Sequence, residues 1–147
     1  VKPDAGPSYQ VLGDPVRLIV SAEQTDGAYF ILELTSTPGN GVPCHIHTQE
    51  DEVMFVIQGQ YEMELDGQVM QAGPGTVINL PRNVPHGYRC LGPEQGRVLV
   101  TVMPAKLEQM FADLSGEPPG PEAITRVCRS YGITFEPPLI KDPKAEI

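Results

Sequence analysis

Basic residues are scarce in this chain of 147: ten lysines and arginines face nineteen acidic side chains, for a net charge of −9. A surface of that sign argues against nucleic acid as a partner and against an anionic membrane face, since both bind through basic residues. No apolar run approaches the ~20 residues that cross a bilayer, and no signal-peptide pattern opens the sequence. Cysteine is limited to Cys44, Cys90 and Cys128, an odd number with no CxxC pair. Such a set builds no disulfide framework and fits a reducing cytoplasm. Histidine is as rare, and all three copies fall in two short blocks: His45 and His47, then His86.

Apolar residues at 40% and charged residues at 20% describe a folded chain with a core of its own, and the length suits one domain. Sixteen prolines and fifteen glycines separate short β-rich runs. Strands are expected at VRLIV (16–20), YFILELT (29–35), EVMFVIQG (52–59), YEMEL (61–65), QVMQA (68–72), TVINL (76–80), HGYRC (86–90) and RVLVTVM (97–103). Asp66-Gly67 is a strong hairpin signal, and Gln58-Gly59-Gln60 reads as a tight turn. Eight or nine strands with turn signals every 8–12 residues predict an all-β sandwich or barrel over about residues 16–104. Residues 1–14 read as an irregular arm. Beyond Pro104, Leu107, Met110, Phe111 and Leu114 recur at helical spacing before Gly116, and 122–132 reads as a second short helix before an extended tail.

Side chains alternate along a strand, so His45 and His47 point to one face and aim two imidazoles into one cavity. Glu52 opens the next strand after a four-residue turn and can swing its carboxylate back toward them; His86 must come from a different strand. Imidazole and carboxylate suit Fe, Mn, Ni, Co, Cu or Zn. Three nitrogens and one oxygen leave room for water or substrate, as a catalytic site requires. Cys44 flanks His45 and should face away as a small buried hydrophobe. Cys90 shares the parity of His86 and Tyr88, which allows a place on the cavity side or a buried inert thiol. Tyr88, Met54, Met63, Met103 and Phe30 are candidates to line a pocket, with core packing the simpler reading of each. The Leu107–Leu114 face packs on the barrel or caps its mouth.

The two blocks resemble the cupin motifs. In the first, Gly41 leads to His45-x-His47, four residues separate His47 from Glu52, and six more lead to Gly59; in the second, five residues separate Gly75 from Pro81, followed by His86. Asn83 and Cys90 stand where many cupins carry Gly and Asn, and Asn tolerates positive φ. The resemblance implies a jelly-roll β-barrel (a double-stranded β-helix) with a short C-terminal helical segment over 105–147, and a metal held by His45, His47, Glu52 and His86. Only Glu52 preserves both spacings, which leaves Glu50 and Asp51 as solvated turn charges. The flanks, PRNVPHGYRC and RVLVTVMPAKLEQMFADL, look most like the single-domain quercetin-dioxygenase-like cupins. That resemblance implies Fe, Mn, Ni or Co ahead of Zn or Cu, and a dioxygenase using O2 on a flavonol or similar aromatic enol, with Glu52 as catalytic base. A non-redox isomerase, lyase or cyclase and a non-catalytic ligand-binding cupin are the alternatives. VMFVI (53–57) is apolar on both faces, which predicts a homodimer.

Overall fold

At Asp66-Gly67 the chain takes positive φ twice in succession, 51° and 79°. That is the turn Asp-Gly favours between two adjacent antiparallel strands, and it joins β6 (Tyr61–Leu65) to β7 (Gln68–Ala72) in register Leu65↔Gln68. The structure, a computed structural model, describes residues 6–115 and 120–139. Gly116, the linker after it and the tail beyond 139 lie outside the described residues, as do the first five residues of the expected arm.

Among the described residues there are eleven strands and two α-helices. One antiparallel sheet runs β1 (Ser8–Val11), β2 (Asp14–Val20), β3 (Phe30–Ser36), β10 (Gly96–Met103), β5 (Asp51–Gln58) and β8 (Val77–Leu80). The other runs β11 (Ile133–Phe135), β4 (Gly41–His47), β9 (His86–Cys90), β6 and β7. Helices α1 (Glu108–Ser115) and α2 (Pro121–Ser130) follow the barrel strands. This is the all-β jelly roll with a short C-terminal helical segment. No helix among the described residues is long and apolar enough to cross a membrane.

Three details depart from expectation. Residues 8–11 of the arm pair with β2 as a strand, from Ser8↔Arg17 to Val11↔Asp14. Residues 133–135 pair with β4 as another. The Gln58-Gly59-Gln60 turn carries the chain from one sheet to the other instead of closing a hairpin. Gly59 is needed there for two reasons: its φ is +85°, and an added Cβ would lie 2.8 Å from Gly96 Cα.

Alternation packs the two sheets together. In β10, Val98, Val100 and Val102 are buried while Arg97, Leu99 and Thr101 are half-buried. Val16, Phe30, Leu32, Met54 and Val56 from one sheet share a single core with Tyr61, Met63 and Cys90 from the other. Tyr61 is fully buried, and its hydroxyl donates to Ser36 Oγ at 3.0 Å, so its polar end is satisfied across the sheets. The outer face differs. Phe55 remains 39% exposed beside Val77 at 62%, the two paired across β5 and β8.

Candidate metal centre

Strand alternation turns His45 and His47 inward from β4, and register places His86 of β9 directly opposite His45. These two strands approach unusually closely. A Cβ on Gly87 would lie 2.7 Å from the Cys44 amide nitrogen, and one on Gly41 only 1.9 Å from the Tyr88 carbonyl oxygen. The backbone on which the imidazoles sit therefore depends on two residues without side chains. The His47 carbonyl accepts the amide of Asn83 at 2.7 Å, and Asn83 sits at φ 65°, the conformation Asn tolerates at this loop.

All three imidazoles are buried, and their ligating atoms lie within 4.8 Å of one another. Ring centroids are 4.4 Å apart for His45–His86 and 4.8 Å for His45–His47, while His47 and His86 stack within 2° of parallel at 5.4 Å. Glu52 arrives from β5 in the opposite sheet, so the cluster bridges the two halves of the barrel. Its Oε1 is 3.5 Å from His47 Nε2 and its Oε2 is 3.4 Å from His86 Nε2.

Hydrogen bonding fixes one tautomer. His45 Nδ1 lies 2.8 Å from the Pro43 carbonyl oxygen, and a carbonyl only accepts. The proton therefore sits on Nδ1, leaving the Nε2 lone pair for a ligand. Burial, reinforced by His86 and His47, pushes His45 down to about 3 and keeps it neutral. Burial alone would raise Glu52, but the charges on His47 and His86 win and hold it at about 2. Burial would lower His47 too, yet the Glu52 and Glu50 carboxylates raise it. Three imidazole nitrogens and a carboxylate oxygen suit a first-row divalent ion, and, among the described residues, buried His47 Nδ1, His86 Nδ1 and both Glu50 oxygens have no hydrogen-bond partner. The histidine triad can hold a metal ion.

The four expected residues come together, and the turn between β4 and β5 brings a correction. Glu50, expected to be a solvated turn charge, is 1% exposed. Its Oε2 lies 3.7 Å from His47 Nδ1, behind the ring. Asp51 is partly exposed, as expected, and accepts hydrogen bonds from the Arg82 amide at 2.8 Å and the Arg82 guanidinium at 3.1 Å. No motif spacing marks Glu50, because a turn carboxylate folds inward or outward according to what surrounds it. Cys44 faces away from His45 as expected but is half-buried, not fully buried. Cys90 is a buried thiol donating to the Glu94 carbonyl, away from the cavity.

The cluster opens into a cavity of about 110 Å³. Tyr88 and Met54 line it, whereas Phe30, Met63 and Met103 do not. Helix α1 roofs it with Met110, Phe111 and Leu114, and α2 adds Ile124 and Cys128, so the Leu107–Leu114 segment caps the site as well as packing. Val11 of β1 and Leu12 after it, with Ile133 and Phe135 of β11, add to the wall from segments where no strand is expected. Among the described residues, no lysine or arginine lines the space.

Comparison with known proteins agrees with this architecture. A family model described as a cupin domain matches residues 32–102. The chain is similar to quercetin 2,3-dioxygenase of Bacillus subtilis (strain 168), with 31% identity over 107 residues, covering 72% of this chain and 31% of that protein. It is also similar to the polyketide synthase CurC of Streptomyces cyaneus, with 24% identity over 99 residues, 67% of this chain and 62% of that one. It therefore spans about a third of the first relative's length and under two thirds of the second's. Among solved structures, an RmlC-like cupin from Shewanella frigidimarina superposes with a TM-score of 0.63 at 18% identity, covering 72% of this chain and 90% of that one. Barrel topology, motif spacing and sequence likeness converge on one assignment: this chain belongs to the cupin superfamily.

Proposed function

We propose that this protein is a metal-dependent dioxygenase that opens the heterocyclic ring of a flavonol, or cleaves a similar aromatic enol, with O2. The observation that carries this reading is the junction of two environments: Glu52 and three imidazoles at one end of a cavity whose remaining walls are mostly apolar, with Asp14, Thr35 and Ser36 among them. In this reading His45, His47, His86 and Glu52 hold an ion of the Fe, Mn, Ni or Co class. The chemistry such an ion supplies when bound is Lewis acidity toward a substrate hydroxyl and reactivity with O2.

The protein's own residues do the rest. Leu32, Met54, Met110 and Phe111 offer flat apolar contact to aromatic rings, and the absence of lysine and arginine from the walls disfavours a substrate that must bring a carboxylate or phosphate. Glu52, held ionised by its imidazole neighbours, takes the proton from a substrate hydroxyl presented at the cluster. Helices α1 and α2 keep bulk water from the electron-rich anion that results. The likeness to quercetin 2,3-dioxygenase supports the same reading. Protein loaded with iron, manganese, nickel or cobalt is expected to consume O2 with at least one member of a panel of flavonols and catechols, releasing carbon monoxide from a flavonol. No uptake with any metal and any member overturns the proposal.

A second reading is favoured by the likeness to a polyketide synthase protein, which this chain covers more fully than it covers the dioxygenase. The same Glu52 and the same ion would then serve a non-redox cyclase, lyase or isomerase. Turnover of an aromatic polyketide under strict anaerobiosis selects it.

We also propose a homodimer, built on the outer face of the six-stranded sheet. Leu99, Phe55 and Val77 are aligned across three adjacent strands there, with β8 at the sheet edge. A second copy of the chain is the occupant that would cover this stripe. Light scattering at micromolar concentration is expected to give twice the monomer mass, falling to the monomer in Phe55→Asp. A monomeric wild type sinks the idea.

A further inference from the structure

We propose that Glu50 is a positioning residue for the metal centre, acting through His47: its carboxylate accepts a hydrogen bond from Nδ1–H, which keeps the proton on that nitrogen and presents the Nε2 lone pair to the cluster. This rests on the metal-binding reading of the site. Glu50 is 1% exposed, and among the described residues neither of its oxygens has a hydrogen-bond partner. A buried carboxylate without donors is strongly disfavoured, so the fold must use it or lose it. The polar atom that faces it is His47 Nδ1, 3.7 Å from Oε2 and likewise unpartnered. A shift of under about 1 Å brings the two within hydrogen-bond reach.

The three histidines differ in how their outer nitrogens are held. His45 is fixed by the Pro43 carbonyl at 2.8 Å. For His47 no carbonyl takes that place. Glu52 cannot substitute, because it faces Nε2 on the opposite edge of the ring. Glu50 stands where the second hydrogen bond of a ligating histidine belongs, and it would fix both tautomer and ring orientation. Its own position is built from both sides. Thr48, two residues before, donates its amide (3.1 Å) and its hydroxyl (2.7 Å) to the Gly132 carbonyl, and Asp51, next in the chain, is tied to Arg82.

The test compares the metal-free wild type, Glu50→Gln and Glu50→Ala by chelator-competition titration with Co(II), together with ring-nitrogen NMR of the Zn(II)-loaded forms. Thermal melting of each metal-free protein confirms folding. Glu50→Ala is expected to bind Co(II) about 10–100-fold more weakly. Glu50→Gln, which keeps an acceptor without the charge, should fall between. The His47 Nδ1–H signal should move in both variants while that of His45 stays, a change that loss of packing alone would not produce. Variants that bind Co(II) within twofold of wild type, or an unmoved His47 signal, overturn the assignment; if Glu50→Ala does not fold, Glu50→Gln decides alone. A wild type that binds no Co(II) overturns the metal centre itself and this role with it, an outcome distinct from wild-type binding that the variants leave unchanged.

Discussion

Glu52→Gln is expected to cut turnover about 10²–10⁴-fold at saturating metal, the range lost when a positioned proton acceptor is removed. The substitution keeps shape and an oxygen donor, so the barrel and most of the coordination should survive. What disappears is the second carboxylate oxygen and the charge held ionised between His47 and His86. Glutamine at this position can touch an ion but cannot accept a proton at neutral pH. Metal affinity should fall too, which is why the comparison is made on fully loaded protein, with kcat separated from KM. A kcat within tenfold of wild type would mean that the proton leaves the substrate by another route. His47→Ala provides the contrast, because it should lose the ion before it loses any step of the chemistry.

Phe30→Ala is expected to destabilise the protein by about 3–5 kcal/mol, the usual cost of deleting a buried phenyl ring. Phe30 has no exposed surface, and its ring meets Phe111 edge-on at a centroid distance of 6.2 Å. The residue thus joins the third strand to the helix that roofs the cavity. For a chain of this size the loss corresponds to a fall in Tm of roughly 10–15 °C. Because the roof loses its anchor while the cluster keeps all four of its residues, Co(II) affinity measured in the cold should change far less than Tm. A melting shift under about 3 °C would show that the neighbouring side chains close the gap, against the close packing expected of a protein core.

The legible and illegible parts of this protein divide along physical lines. His45 and His47 could be placed on one face because period-two alternation is enforced by the backbone, and Asp66-Gly67 could be placed in a hairpin because few residue pairs accept consecutive positive φ. Asn83 behaved as its side chain allows. By contrast, Ser8–Val11 and Ile133–Phe135 are too short and too mixed to announce a strand; they become strands because β2 and β4 offer them open edges. Glu50 was hidden for a related reason. Whether a turn carboxylate points inward depends on how the turn itself is folded beside His47, three residues back, and spacing alone does not show that. The roof over the cavity was visible as an apolar helix face, but whether it capped a cavity or only packed on the barrel depended on shape.

Pairing of Ile133–Phe135 with His45–His47 has a consequence for the order in which the molecule is made. During synthesis, the histidine-bearing strand emerges nearly ninety residues before the segment that hydrogen-bonds to its free edge, as the separation of Thr48 and Gly132 by 84 positions illustrates. Until then that strand presents unpaired amides and carbonyls, the hazard that exposed sheet edges carry in a nascent chain. The wall that Ile133 and Phe135 give the histidine cluster is therefore among the last parts of the molecule to be made. A ribosome stalled before residue 133 would leave the backbone of that strand's outer edge unpaired and open to a neighbouring chain.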